Sequence, residues 1–519
     1  MDGIRRFTDQ LKHATRHAIS NAARREPTSR ERLLTLIREK FGEAPFFLVS
    51  HQEPYMHVYR GDEIECTRYA SGLTVALDSI AQAFQGVWIA HGGGEADRET
   101  ADEAGRVRVP PQHPAYTLKR LFLTKPQIDG FYYGFANRVL WPLCHIAYVR
   151  PQFDVESWER YREVNELFAD AVLEEIGDRH ALVFLQDYHL ALCAQYIKAK
   201  NPRVTTVLFW HIPWPNPEVF RICPWKREIL DGMLANDLMG FHLPYHRENF
   251  LETVALELES KIDREQLAVI RRGHTTSIRA YPIGVDFEDI AALAADSSLP
   301  DRLEALNRRY RLRGVRVAVG VDRLDYTKGI PERLQALRRL FDKYPAYRRQ
   351  LVYVQIGVPT RIHLREYQDA MDAIEKQIDE INWQYGDRAW TPILFLKGGM
   401  DFKELVPFYR RADLCIVSSL HDGMNLVAKE YAASRNDEDG VLVLSEFTGS
   451  ARQLDDALLV NPYDIEACAE TLREALEMPR EARQARMRRL RENVAEHDVY
   501  RWASDIFSDL SKIEQRLAA

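Results

Sequence analysis

The run Arg316-Val-Ala-Val-Gly-Val321 breaks into Asp322-Arg323-Leu324-Asp325-Tyr326-Thr327-Lys328-Gly329, and a helical pattern begins near Pro331 and continues through Glu332-Arg333. A short apolar run closed by turn residues reads as a buried strand, and proline is favoured in a first helical turn. Strand, polar turn and helix in that order are half of a parallel crossover unit. Ligands of such sheets bind beyond the carboxyl ends of the strands, where Arg323 and Lys328 stand beside Gly329. A guanidinium fork and a point-charge ammonium suit a diphosphate whose negative charge grows as its bond to a sugar breaks. The bland alternative pairs these cations at the surface with Asp322, Asp325 and Glu332.

Working outward, the same texture recurs downstream as strands at Leu351 to Ile356, Pro392 to Lys397, Leu414 to Ser418 and Val441 to Ser445. Upstream it appears in Phe46-Phe47-Leu48-Val49, Val87-Trp88-Ile89-Ala90, Leu182-Val183-Phe184-Leu185 and Thr206-Val207-Leu208-Phe209-Trp210, with an amphipathic helix over Trp158 to Ile176. Alternation of this kind predicts an α/β protein with two doubly wound domains facing across a cleft. The expected division is a helical extension over residues 1–45, a first domain over 46–285, a second over 286–495, and a last helix over 496–519 crossing back to the first. Ile4, Phe7, Leu11, Leu33, Leu34 and Ile37 carry the helical spacing of the extension.

Leu414 to Ser418 leads into a second polar loop, Leu420-His421-Asp422-Gly423-Met424-Asn425-Leu426-Val427-Ala428-Lys429-Glu430, which passes into a helix. A helix N-terminus there favours phosphate, Asp422 suits sugar hydroxyls, and Glu430, one turn on, suits a ribose. Asp-Gly is also a common turn, and Glu430 also reads as a plain helix-surface residue. In the first domain, His211-Ile212-Pro213-Trp214-Pro215 is a stiff aromatic loop after a strand, and Asp187 follows another strand in Gln186-Asp187-Tyr188-His189. Taken singly, such a histidine or aspartate is more often structural.

Composition narrows the function classes. The 519 residues carry a net charge of −7, which disfavours a general nucleic-acid binder. No apolar run is long enough for a bilayer, and the start has no signal-peptide core, so a cytoplasmic location is expected. Six dispersed cysteines suggest neither a zinc site nor a disulfide framework, and the arginines between Arg483 and Arg491 alternate with apolar residues as on a solvated helix face. No metal constellation stands out, and a homo-oligomer is left open.

Together these segments resemble the trehalose-phosphate synthase family of GT-B glycosyltransferases from about Phe46 to near the C-terminus. The most specific are Asp422 to Glu430, Arg323 to Gly329, His211-Ile-Pro-Trp-Pro, Leu140-Trp141-Pro142 and Val441-Leu-Val-Leu-Ser-Glu446-Phe. The resemblance implies two Rossmann-like domains and a retaining, metal-independent glucosyltransferase without cofactor. Its substrates would be a nucleotide-glucose, UDP-glucose first, and glucose 6-phosphate. It implies that Arg323 and Lys328 bind the donor diphosphate and that Asp422 with the Gly423, Met424, Asn425 and Leu426 backbone binds donor glucose. It further implies that Glu430 binds ribose, Ile356 and Val427 meet the base, His211 touches the glucose 6-hydroxyl, and a loop near Ser71-Gly72 closes over the phosphates. On the acceptor side it implies Tyr133, Trp141, Asp187 and Arg361.

One position departs. The family usually begins with Val-Ser-Asn-Arg, whereas this chain reads Val49-Ser50-His51-Gln52-Glu53-Pro54-Tyr55, so a phosphate contact is lost or comes from His51 or Arg68. That stretch, with Pro224-Trp225-Lys226-Arg227-Glu228 and Gly240-Phe241-His242-Leu243-Pro244, looks like glucosylglycerol-phosphate synthases, which use glycerol 3-phosphate and commonly ADP-glucose. A sugar-phosphate-binding regulator without turnover is the alternative of another class. It would keep the cleft but lose the donor contacts, which are all present in this sequence.

Overall fold

The computed structural model describes residues 27–42, 44–68 and 72–518. Among these residues, two sheets organise the chain. The second is entirely parallel, in the order Ile393–Lys397, Leu351–Val358, Arg316–Arg323, Leu414–Val417, Val441–Ser445, Leu458–Val460. Numbered along the chain this is 3-2-1-4-5-6, the dinucleotide-fold order whose direction reverses between the first and fourth strands. Its four central strands are buried along most of their length and rich in Val, Leu and Ile, as strands covered on both faces are.

The first sheet has the same kernel in a wider frame. Its parallel strands run His274–Ala280, Leu238–Phe241, Thr205–Phe209, Leu182–Gln186, Phe46–Gln52, Val87–His91, Tyr116–Leu121, so direction reverses between Phe46–Gln52 and Leu182–Gln186. Antiparallel edges, Arg106–Val109 on one side and Lys261–Asp263 with Ala268–Arg271 on the other, and the hairpin Tyr55–Arg60/Glu63–Arg68 add strands that the periodicity did not single out. These edges are short and mostly half-exposed, so their apolar signal is weak. Asp129–Leu140 winds as a π-helix, a geometry that periodicity does not encode.

The helix Ser29–Phe41 starts in a capping box in which Thr28 and Glu31 satisfy each other's backbone donors. It buries Leu33, Ile37 and Phe41 in a cluster that also holds Phe46 and Leu48 of the first sheet and Trp502, Ile506 and Phe507 of the last helix, Val499–Ala518. Burying each such side chain contributes about 1.5–3 kcal/mol. The readings on Ile4, Phe7 and Leu11 lie outside the described residues. Two strands of chain cross between the sheets, where Val499 N–H donates to Val285 O at 3.1 Å. Gly284 allows that contact, since a Cβ there would lie 2.1 Å from the His497 carbonyl oxygen. Among the described residues no helix is long and apolar enough to cross a membrane.

The six cysteines are free thiols, five of them buried. The arginines of the helix Arg480–Glu496 do more than face solvent. Arg483 and Arg489 pair with Asp439 and Asp456, and Arg491 donates to the Ala432 and Ala433 carbonyls.

Candidate active site

The direction reversal of the second sheet lies between Arg316–Arg323 and Leu414–Val417, and the two polar loops quoted above meet there. Gly329, at φ +61°, makes the meeting possible, because a Cβ would sit 2.0 Å from the Ser418 carbonyl oxygen. Lys328 Nζ then reaches Asp422 Oδ2 at 2.6 Å, and Ser419 Oγ and the Asn425 amide also donate to that carboxylate at 3.2 Å. Burial pushes the Asp422 carboxyl up, but the Lys328 charge and hydrogen bond outweigh it and hold it below the usual range.

Asn425, at φ 76°, caps the helix Leu426–Ser434 by accepting from Ala428 N–H at 3.3 Å. Gly423 presses against the first lobe, where a Cβ would fall 2.4 Å from the His211 carbonyl oxygen, and Met424 is buried in that lobe's cluster. Glu430 is buried and accepts from Tyr409 OH at 3.0 Å, with burial raising its carboxyl to about 7. Ile356 and Val427 pack into the same second-lobe cluster.

The surface-pairing alternative for the two cations does not describe this geometry. Asp322 lies inside the strand, two residues longer than its apolar run suggests, and pairs with buried Arg333 at 2.6 Å. Asp325 pairs with Arg361 at 3.3 Å, and the Glu332 Oε2 is buried without a partner. Arg323 stays exposed, its guanidinium carbon 5.2 Å from the Trp141 ring centre in the opposite lobe.

The first sheet's reversal carries His51 and Asp187. Asp187 has φ 71°, a left-handed backbone that a non-glycine residue adopts only where surroundings impose it, and its Oδ1 accepts from His211 N–H at 3.1 Å. Burial raises its carboxyl to about 7, against the pull of the Tyr188 and His211 amides and of Arg323 and Arg361. His211 shares a hydrogen bond with Gln186 Oε1 at 2.9 Å, and burial drops its imidazole to about 3, so it is neutral.

Arg361, 7 % exposed and at φ 49°, lies 4.4 Å from the Trp141 ring centre. It donates to Tyr367 OH at 2.6 Å and to Tyr188 OH at 3.3 Å. Tyr133 stands edge-on to Tyr132 at 5.1 Å and to His363 at 5.7 Å. His51 stacks on Tyr132 at 4.4 Å and on His189 at 5.1 Å. Gln52 points out at the exposed end of its strand, and Arg68 is tied to Asp78 at 2.7 Å on the hairpin. Of the two candidates to replace the missing arginine, His51 packs between Tyr132 and His189, whereas Arg68 is held by Asp78. Ser71 lies outside the described residues, and Gly72 begins the helix Gly72–Phe84.

The structure thus gathers Arg323, Lys328, Asp422 and Asn425 at one reversal and Asp187, His211 and Trp141 at the other, with Arg361 reaching across. His421 also spans the gap, its Nδ1 2.8 Å from the His145 carbonyl oxygen. Sequence reasoning passed over Tyr188 and Tyr367 and placed Asp325 only as a surface partner of Arg323 or Lys328, whereas all three hold Arg361. Asp325 lies inside the quoted motif and was readable as a turn cap, but its partner comes from a distant loop. A cavity of about 950 Å³ opens at the opposite, amino-terminal edge of the first sheet, by Lys198, Thr205 and His274, away from this chemistry.

The model of glycosyltransferase family 20 matches residues 45–512, which takes in both sheets and both reversal points. The chain belongs to glycosyltransferase family 20. Within the family it is 36 % identical over 483 residues to a trehalose-6-phosphate synthase of Mycobacterium marinum, covering 91 % of this chain and 95 % of that one. A solved E. coli structure, described as trehalose-6-phosphate bound with UDP-2-fluoro glucose, is similar with a TM-score of 0.81 and 32 % identity, over 90 % of this chain and 99 % of the other. An α,α-trehalose-phosphate synthase (UDP-forming) from Burkholderia xenovorans in complex with glucose-6-phosphate has a TM-score of 0.80 and 31 % identity over 90 % and 99 %. This family 20 chain is accordingly a GT-B glycosyltransferase of two Rossmann-like lobes.

Proposed function

We propose that the cleft transfers glucose from UDP-glucose to glucose 6-phosphate with retention, giving α,α-trehalose 6-phosphate and UDP. The observation that carries this reading is the pairing of Lys328 with Asp422 at 2.6 Å beside an exposed Arg323 at the second sheet's reversal. In the donor complex Lys328 and Arg323 take the diphosphate, Asp422 and the Gly423 to Leu426 backbone take glucose, and Glu430 takes the ribose. Ile356 and Val427 flank the base, and the segment at Gly72 covers the phosphates. His211, neutral and held by Gln186, orients the glucose 6-hydroxyl.

Arg361 takes the acceptor phosphate, with Tyr133, Trp141 and Asp187 placing the sugar. We take residues 46–285 as the acceptor lobe and 286–495 as the donor lobe. Asp422 is held by Lys328 and Asp187 by the His211 N–H, so neither serves as the nucleophile of a retaining glycosidase, and displacement occurs from the face the leaving group departs. The acceptor oxygen bonds the anomeric carbon as the carbon–oxygen bond to diphosphate breaks, and the departing phosphate oxygen accepts the hydroxyl proton. Arg323 and Lys328 stabilise the charge that develops on it, the part a divalent ion plays elsewhere.

The test is a grid of UDP-glucose, ADP-glucose and GDP-glucose against glucose 6-phosphate and glycerol 3-phosphate, with products identified by mass. A disaccharide monophosphate from UDP-glucose and glucose 6-phosphate is expected. A glucosylglycerol phosphate as sole product overturns the acceptor assignment, and no product in any arm overturns turnover itself.

A further inference from the structure

Asp325 lies between Arg323 and Lys328 in the turn, where its carbonyl oxygen accepts from the Lys328 N–H at 3.0 Å while its carboxylate turns away from both cationic side chains. Its side chain has no exposure. One oxygen, Oδ1, accepts from both the Thr327 N–H and the Thr327 hydroxyl at 2.9 Å, which closes the short 3-10 turn Tyr326–Lys328. The other, Oδ2, pairs with Arg361 Nη1 at 3.3 Å. The two oxygens therefore join the turn carrying Arg323 and Lys328 to a separate loop after the strand Leu351–Val358.

Arg361 needs such a tether. Its φ of 49° is a left-handed conformation unfavourable to arginine, so its placement is imposed by what it touches. Tyr367 and Tyr188 supply only neutral hydroxyls. Asp325 supplies the charge, and although burial opposes ionisation, Arg361, Arg323 and Lys328 together keep its carboxyl below the usual range. One buried anion thus answers three cations that belong to two substrate subsites.

We propose that Asp325 is a positioning residue that fixes the acceptor-phosphate guanidinium, Arg361, in register with the donor-diphosphate cations, Arg323 and Lys328. The proposal rests on the acceptor and donor reading above and adds to it how the two subsites are held together. Transfer needs the reacting atoms about 3–3.5 Å apart, and a misplacement of about 1 Å costs on the order of a hundredfold. A carboxylate that sets the distance between two phosphate anchors sets the distance between the reacting groups.

The experiment compares wild type with Asp325→Asn, using glucose 6-phosphate and unphosphorylated glucose as acceptors at saturating UDP-glucose, with UDP binding followed by calorimetry. The asparagine keeps the shape and the Thr327 acceptor but removes the charge. The expected result is a loss of about a hundredfold in kcat/KM for glucose 6-phosphate, a loss below about threefold for glucose, and UDP affinity within about threefold. Equal losses for both acceptors, or an unchanged rate with glucose 6-phosphate, overturn the proposal while leaving the transferase reading intact. A wild type that transfers to neither acceptor overturns both.

Should Asp325→Asn fail to fold, Thr327→Val decides. It leaves the Arg361 pair but loosens the carboxylate, and a loss of about tenfold confined to glucose 6-phosphate supports the tether. Equal losses with the two acceptors overturn it.

Discussion

The two reversal points of this molecule use opposite electrostatics. On the side proposed for the donor, opposite charges pair directly, Lys328 with Asp422 at 2.6 Å, and Arg323 stands exposed near Trp141. On the acceptor side, burial keeps the imidazoles of His51 and His211 neutral, near 3, and raises Asp187 to about 7. There a single guanidinium, Arg361, stands among rings. The difference follows from the chemistry asked of each. A leaving diphosphate gains charge as the bond breaks, so fixed cations there stabilise the transition state over the ground state. An acceptor phosphate keeps its charge throughout, so one anchor and a shaped wall are enough.

That contrast can be broken by mutation. Lys328→Ala and Arg323→Ala should each lower kcat by about tenfold to a thousandfold with the fold intact, measured as UDP release from purified protein whose circular dichroism is unchanged. Near-normal turnover in either would erase the distinction. Arg361→Ala should act on binding, raising the KM for glucose 6-phosphate about tenfold to a hundredfold and moving the UDP-glucose KM far less. Equal rises would mean that the anchor is not specific to the acceptor.

Two further changes sharpen the picture through stability. Gly423→Ala drives a Cβ to 2.4 Å from the His211 carbonyl oxygen, where the Asp422 loop leans on the first lobe. Overpacking of this kind costs about 1–3 kcal/mol, readable as a lower Tm with UDP binding weakened in parallel. An unchanged Tm would show that the lobes part without penalty.

The smallest effect concerns pH. Burial lowers the imidazoles of His51, His145, His211 and His246 to about 3 and takes His189 and His242 well below their ordinary value. Unfolded, these groups bind protons below about 6.5, so their contribution is complete above that pH and is lost progressively as pH falls from it. Glu53, raised to about 8, and Asp187 and Glu430, at about 7, act in the other direction, because the folded state keeps protons that the unfolded chain releases above its own carboxyl range. The lowered imidazoles outnumber these raised carboxyls, so stability should fall between pH 7 and 5.5. Chemical denaturation at the two pH values measures it, and greater stability at 5.5 would contradict the neutral-histidine wall.

The same contrast explains what could be read in advance. The strands of the second sheet and the loops at Arg323 and Asp422 were legible because an apolar run, a polar turn and a helix start lie consecutively in the chain. Even so, Asp322 was taken for a turn residue, when the strand runs to Arg323 and points Asp322 inward at Arg333. The wall proposed for the acceptor draws His51, Tyr132, Asp187 and Arg361 from four distant segments, so no local pattern predicts that His51 stacks on Tyr132. The π-helix that presents Tyr132 and Tyr133 has no signature in the 3.6-residue period. Asp187 and His211 looked structural one at a time, and their meaning came from Gln186 and Asp187 both holding His211.

The most direct measurement is titration calorimetry of UDP into wild type and Lys328→Ala. Tight binding that weakens by about tenfold or more in the variant is the result this arrangement of cations predicts. Equal affinity in the two proteins, or none in wild type, would contradict it.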